Sequence, residues 1–440
     1  MKILTADFGT SAVKIGIFDK NLNELASNTV TYQYFAENDR AEIDPETIYA
    51  AFIKGCSQIS DQLAGIDIFA FDALCPSLVA MDAEGTPLYP SIIHLDRRSF
   101  AQSRYAINKL PKERFLEING NLPFAGGISL TSMLWLKQHL PDVYNKTAVL
   151  GHMCTYLHKK MVGEFLIDPS NASFTGLYKT FTNDGWSDEI LGAMDLDSSK
   201  LPQVRPSLSF AGRLQSGAAR EIGLREGTPV LTGANDSCAA AYGAGVTNNG
   251  DIINISGSSE IMMIATDNPI PNEKYYCRTS MEDGVWLYLA ITVGGLALEW
   301  FMKQFCREMD VKTFYNDYLR RVCGEGVPNV RFRPHLSGDR HSLAKKTGGF
   351  SGLTMKTTRE DMLRGLLYGI LEPNLNMMKI VGKSMKINSQ IQWTGGMISD
   401  EYQKFKEGLL RQYTFIPKKN CSLIGLAKAA IKTANESPLL

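Results

Sequence analysis

Neither sign of charge is in excess in this chain: 46 Lys and Arg balance 46 Asp and Glu over 440 residues, for a formal net charge of zero. With no long basic or acidic run, it lacks the footprint of a nucleic-acid or membrane-surface binder, and a small molecule is the expected partner. No stretch of about 18 or more apolar residues occurs, and the chain opens on a charged-start strand rather than a basic segment followed by an apolar stretch and cleavage site. The eight cysteines (Cys56, Cys75, Cys154, Cys238, Cys277, Cys306, Cys323, Cys421) show no C-x-x-C pair and no His at zinc-finger spacing. They read as buried thiols of a reducing compartment. A soluble cytoplasmic protein is expected.

What is present is alternation. Short strand-like apolar runs (2–7, 13–18, 66–71, 78–82, 228–234, 251–256, 260–265, 285–291, 390–394) alternate with helical ones (46–64, 97–110, 129–140, 187–194, 236–245, 294–308, 312–322, 358–383, 399–412), the signature of layered α/β architecture. The length calls for more than one core. A turn at Thr247-Asn248-Asn249-Gly250 marks the seam, giving expected domains 1–246 and 247–440.

Each half opens on a similar hairpin. In the first, a strand ends in Asp7 and turns through Phe8-Gly9-Thr10-Ser11; in the second, Asp251–Ser256 runs into Gly257-Ser258-Ser259. A glycine turn lets backbone N–H groups converge on an anion, and Thr10 and Ser11 add donors without charge. Lys14 stands ready to neutralise a phosphate oxygen. Asp7 would repel phosphate unless a magnesium ion or its waters lay between them. An ordinary hairpin with an Asp-initiated turn is the alternative, weakened by the second tip.

Asp236, in Thr232-Gly233-Ala234-Asn235-Asp236-Ser237, ends a strand and enters a small-residue helix. It reads either as the cap of that helix or as a general base taking a proton from an attacking hydroxyl. Gly294-Gly295 and Gly395-Gly396 are glycine pairs that a nucleotide could approach, or simple turns. His94-Leu95-Asp96-Arg97-Arg98 reads as a group for sugar hydroxyls or as a solvated helix start. His335 and His341 lack ligand spacing for a metal.

In order, these elements resemble the FGGY carbohydrate kinases of the actin, Hsp70 and hexokinase-like ATPase superfamily. The match also takes in Ala41-Glu42-Ile43-Asp44-Pro45, Asp82–Leu88, Asp168-Pro169-Ser170-Asn171-Ala172-Ser173, Pro334–Arg340 and Gly349–Thr354. The resemblance implies two ribonuclease-H-like, actin-like domains flanking a deep cleft, with ATP and magnesium (Mg2+) on one side and a sugar or polyol on the other. It implies Asp236 as catalytic base and Asp7 at the metal. Thr10, Ser11, Lys14, Gly257 and Ser258 would contact phosphates; Gly295, Glu299, Gly395 and Gly396 would contact nucleotide. Substrate would meet Cys75, Pro76, Asp96 and Asp236.

Two segments depart from the family. Where xylulokinase-like members carry Gly-Gln-Met-His-Gly, this chain has Ala73-Leu74-Cys75-Pro76-Ser77, and a tryptophan-bearing segment is replaced by His94-Leu95-Asp96. The expected function is ATP-dependent phosphorylation of a ketose, polyol or related sugar, by a protein whose relatives are commonly homodimers. A catalytically silent sugar sensor and a chaperone-like ATPase are the rival readings.

Overall fold

A computed structural model describes residues 1–323, 329–336 and 338–437. Alternating apolar residues build two sheets of the same design. In the first, β1 (Lys2–Phe8), β2 (Ala12–Asp19) and β3 (Glu24–Thr31) form an antiparallel meander, while β4 (Ile68–Ala73) and β5 (Pro229–Leu231) add in parallel beyond β1, giving the order β3-β2-β1-β4-β5. In the second, β6 (Ile252–Ser256), β7 (Ser259–Thr266) and β8 (Trp286–Val293) repeat the meander, and β9 (Gln390–Thr394) and β10 (Thr414–Pro417) repeat the parallel additions, in the order β8-β7-β6-β9-β10. The duplication expected from the two hairpin tips thus extends to five strands per half.

Because side chains alternate across each sheet, every strand feeds two cores. Ile3, Ile68 and Ala70 of the first sheet and Ile253, Met263 and Ala265 of the second pack into one shared core, together with the helices Asp236–Ala244 and Cys421–Glu436. The outer face of the first sheet buries Leu4, Phe8, Phe69 and Phe71; that of the second buries Ile252, Met262 and Ile264.

The two central helices cross at small residues. A Cβ on Gly243 would collide with the Cys421 carbonyl, and one on Gly425 with the Ala239 carbonyl, so backbone lies on backbone. Cys421–Glu436 also packs on β1 and β4, so a segment from the end of the chain covers the first sheet.

Every expected strand is present, with boundaries shifted by at most three residues. The helices differ more. The span 46–64 is helical only over Pro45–Ser57, and 312–322 is interrupted by a π-helical stretch, Phe314–Tyr318. Cys421–Glu436, which no cap residue announces, is an added helix; its Asn420 N-cap is left-handed and makes no side-chain cap bond. Among the described residues no helix is long and apolar enough to cross a membrane, and all eight cysteines are free.

Candidate active site

The first hairpin delivers its charges as a row. Register pairs Asp7 with Lys14 on β2 and with Asp72 on β4, so three ionisable side chains stand level on adjacent strands. Lys14 Nζ lies 3.2 Å from Asp7 Oδ2; the lysine side chain is 56% exposed and the aspartate 8%. Asp7 first, opposed by desolvation, raises the Lys14 pKa. That lysine therefore remains cationic and open to solvent, placed to meet an incoming anion. Tyr32 Oη donates to the Gly9 carbonyl and holds the turn.

Asp72 was not singled out in the sequence. It is fully buried, and neither carboxyl oxygen has a conventional partner. Burial first, then the charges of Asp7 and Asp236, push its pKa well above the usual carboxylate range. Protonated, it can donate to the neighbouring Asp7; two carboxylates would have no hydrogen between them. The available signal was an acid inside an otherwise apolar strand, Ile68-Phe69-Ala70-Phe71-Asp72-Ala73.

Beyond Asp72 the sheet continues to Ala234, and Asp236 follows two residues later. Here the capping alternative is overturned: the cap is Asn235, whose Oδ1 accepts from Cys238 N at 3.0 Å. Asp236 takes the first helical position, uses one oxygen on Ser237 N at 2.7 Å, and retains solvent access. Burial and the charge of Asp7 push its carboxyl up to about 6, against the opposing pull of Arg278 and Lys14.

Its placement is relayed from a buried loop. Asp168 caps the short helix Pro169–Ala172 and accepts from Ser170 Oγ at 2.5 Å and Asn171 N at 3.0 Å, and Ser170 Oγ in turn accepts from Asn235 N at 3.0 Å. The loop that the family resemblance pointed to is therefore a positioning brace for the Asn235-Asp236 turn.

The second tip gathers the glycines. Gly294 N donates to Ser258 O at 2.9 Å, Gly295 N to Gly257 O at 2.8 Å, and Met397 N to Ser256 O at 3.0 Å. Gly257, Ser258, Gly295, Gly395 and Gly396 thus form one partly open surface at the ends of β6 and β9. Gly395 has φ +115°, and a Cβ there would strike the Ser256 backbone. Glu299, one turn into the helix Gly295–Phe305, is paired with Lys303 at 2.5 Å.

Beneath that tip is a network the sequence did not announce. Lys406 and Glu260, both fully buried, pair at 2.8 Å; Lys406 Nζ also reaches Asn254 Oδ1 at 2.5 Å and Ser256 Oγ at 2.7 Å. Trp393 Nε1 donates to the same Ser256 hydroxyl at 2.8 Å.

On the substrate side the expected residues separate. Cys75 lies within electrostatic reach of Asp236 and Arg278, and its Sγ is 3.8 Å from His152 Nδ1, while Pro76 is buried. Asp96 differs from a free sugar ligand. Its oxygens are taken by Arg98 (2.6 Å to Nη2) and by Ala41 N at 2.7 Å, leaving it as the clamp of its loop. The segment 94–98 is also not a helix start, since the helix opens at Phe100. Ser337, in the expected Pro334–Arg340 motif, lies outside the described residues.

For magnesium, no group of three His, Cys, Asp or Glu side chains among the described residues is arranged to hold a metal. Magnesium commonly takes one or two carboxylates and completes its shell with water and phosphate. Asp7, with Lys14 on one side and Asp72 on the other, fits that mode and not a dedicated protein cage.

With this geometry described, comparisons place the chain among known proteins. The model of the FGGY family of carbohydrate kinases, N-terminal domain, matches residues 2–243. A xylulose kinase of Staphylococcus xylosus is 25% identical over 411 residues, covering 91% of this chain and 84% of that one. The fold is shared with xylulose kinase from Lactobacillus acidophilus, at TM-score 0.88 and 20% identity, covering 99% of this chain and 90% of that one. It is shared too with a Plasmodium falciparum glycerol kinase solved with ADP, at TM-score 0.84 and 20% identity, covering 99% and 90%.

Proposed function

We propose, on the premise that this chain belongs to the FGGY family of carbohydrate kinases, that it transfers the γ-phosphoryl group of ATP to a hydroxyl of a ketose, polyol or related sugar with Asp236 as the base. The observation that carries the reading is Asp236 itself: relieved of capping by Asn235, reachable by solvent, and held at a pKa of about 6 beside Asp7. A base poised near the working pH serves proton removal best.

Phosphoryl transfer requires little covalent work from a protein; alignment and neutralisation of charge supply most of the rate. Thr10, Ser11, Gly257 and Ser258 stand at the two hairpin tips to bind phosphate, with Lys14 supplying positive charge. Gly295, Gly395 and Gly396 offer open backbone to the nucleotide, and Glu299 lies at the margin of that surface. The ADP in the Plasmodium falciparum glycerol kinase of like fold supports this choice of donor. A magnesium ion at Asp7 would neutralise the transferring phosphates. Two lobes, divided after Val246, would close on the acceptor and exclude water.

The deciding experiment is a coupled ADP-release assay with ketoses, polyols and sugar acids, run on the native protein and on Asp236→Asn. Acceptor-dependent ADP release that Asp236→Asn abolishes is expected. Acceptor-independent hydrolysis would replace this reading with an ATPase, and acceptor binding without release would replace it with a sensor.

A further inference from the structure

Three arginines, Arg97, Arg278 and Arg340, lie within electrostatic reach of one another, and Arg278 is bonded to the turn that carries Asp236. Arg278 and Arg97 are 4% and 5% exposed, and the Nε of each is buried with no partner. Arg278 uses Nη1 on Asn235 Oδ1 at 2.8 Å and Ser237 Oγ at 3.1 Å, with its plane 3.9 Å over the Phe174 ring. Arg97 uses Nη1 on two carbonyls, His94 at 2.8 Å and Asp96 at 2.7 Å, and lies against Gly338. Arg340 completes the group, its carbonyl bonded by Tyr276 Oη.

The nearby acids are committed elsewhere. Asp96 is paired with Arg98 and Asp339 with Lys346, at 2.6 Å each. Among the described residues, Arg97, Arg278 and Arg340 have no salt-bridge partner; Arg278 and Arg340 are both within electrostatic reach of Asp236. The cations also act on one another: burial and Arg340 pull Arg97 down to about 10, and both keep His94 well below its ordinary value. Lys14, beside Asp7 and Asp72, is also within electrostatic reach of Asp236.

Buried, unpaired guanidinium groups are expensive, and the penalty is offset when a planar anion meets their N–H fork. A neutral sugar offers no such compensation. We infer that the acceptor is itself an anion: a polyhydroxylated compound carrying a carboxylate, as in an aldonate, or a phosphate ester of the same binding chemistry. Arg278 and Arg340 hold that charge while a hydroxyl elsewhere on the chain faces Asp236. In the step itself, Asp236 takes the hydroxyl proton, the oxygen bonds the γ-phosphorus, the β–γ bridging P–O bond breaks, and ADP leaves with that oxygen.

This inference rests on the kinase reading above. The test is kcat/KM from ADP release over stereoisomeric C4–C6 aldonates, the matched polyols and ketoses, and pentose and hexose monophosphates. The best anion is expected to exceed its matched neutral compound by about 100-fold, and Arg278→Met to remove most of that margin, chiefly through KM. The aldonate and monophosphate arms identify which anionic group is bound. A neutral ketose or polyol matching or exceeding every anion overturns the inference and leaves the kinase reading intact; no ADP release with any acceptor removes the kinase reading itself. Should Arg278→Met fail to fold, the native ratio decides, together with whether the preferred anion raises the native melting temperature more than its neutral match.

Discussion

The two hairpins, Lys2–Asp19 and Ile252–Thr266, have the same strand order and put their charge to opposite uses. At the first, Lys14 is 56% exposed beside a buried Asp7, with Asp72 level on the next strand. At the second, the charge is sealed: Glu260 and Lys406 lie under the tip, with the Lys406 ammonium 4.8 Å from the Trp393 ring and 4.3 Å from the Tyr402 ring. One site keeps its ions where a ligand can alter them. The other spends its ions on holding Asn254 and Ser256, so that the backbone above keeps its shape. A duplicated scaffold thus carries one solvent-facing lysine and one sealed ion pair.

The sharpest break of that division is Asp236→Asn. Loss of a general base costs about 10²–10⁴ in rate, so kcat should fall by roughly three orders of magnitude with ATP affinity little changed, as read by ADP release and nucleotide titration. The same variant should raise the melting temperature above pH 6. An acid whose folded pKa is raised to about 6 from 3.8 destabilises the fold fully above the upper value and not at all below the lower one. A stability gain that persisted undiminished at pH 4 would contradict this account.

Next in size is Lys406→Met. Breaking a buried pair strands the surviving charge, at a cost of about 3–5 kcal/mol, and urea denaturation should show it. Lys14→Met should cost less than that, because the Lys14 side chain is 56% exposed and water can reach the partner it leaves, while weakening ATP binding. Equal stability losses for the two lysines would erase the contrast between the hairpins. Gly395→Ala should fall between them, at about 1–3 kcal/mol for a residue forced into an unfavourable backbone region, with a raised KM for ATP.

The smallest effect expected is in the pH profile. Asp236 must be deprotonated to accept a proton, so kcat/KM should climb about tenfold per pH unit below pH 6 and level off above it. A flat profile between pH 5 and 7 would count against Asp236 as the titrating base.

Much of the first hairpin was legible because its information is local. Asp7, Gly9, Thr10 and Ser11 are consecutive or nearly so, and a strand, turn and strand can be read from apolar alternation. The glycine pairs 294–295 and 395–396 were legible as turns; that both close on Gly257 and Ser256 depends on β6 lying between β7 and β9. Asp96 has partners that its motif did not announce. Its motif suggested a sugar ligand, but Arg98, two residues away, occupies it. The helix Cys421–Glu436 was missed although its residues are amphipathic at helical spacing; what fixes it in place is packing on Asp236–Ala244, which lies far away in the chain.

By itself, the order of residues determined the α/β class, both glycine-hydroxyl turns, the family resemblance and the candidacy of Asp236, since each is written in neighbouring side chains and their spacing. Only the tertiary structure decided that Asp72 stands beside Asp7 and that Arg278 and Arg340 come within electrostatic reach of Asp236. Those residues lie tens to hundreds of positions apart, and what joins them is strand register and the burial of charge, which a linear sequence does not record.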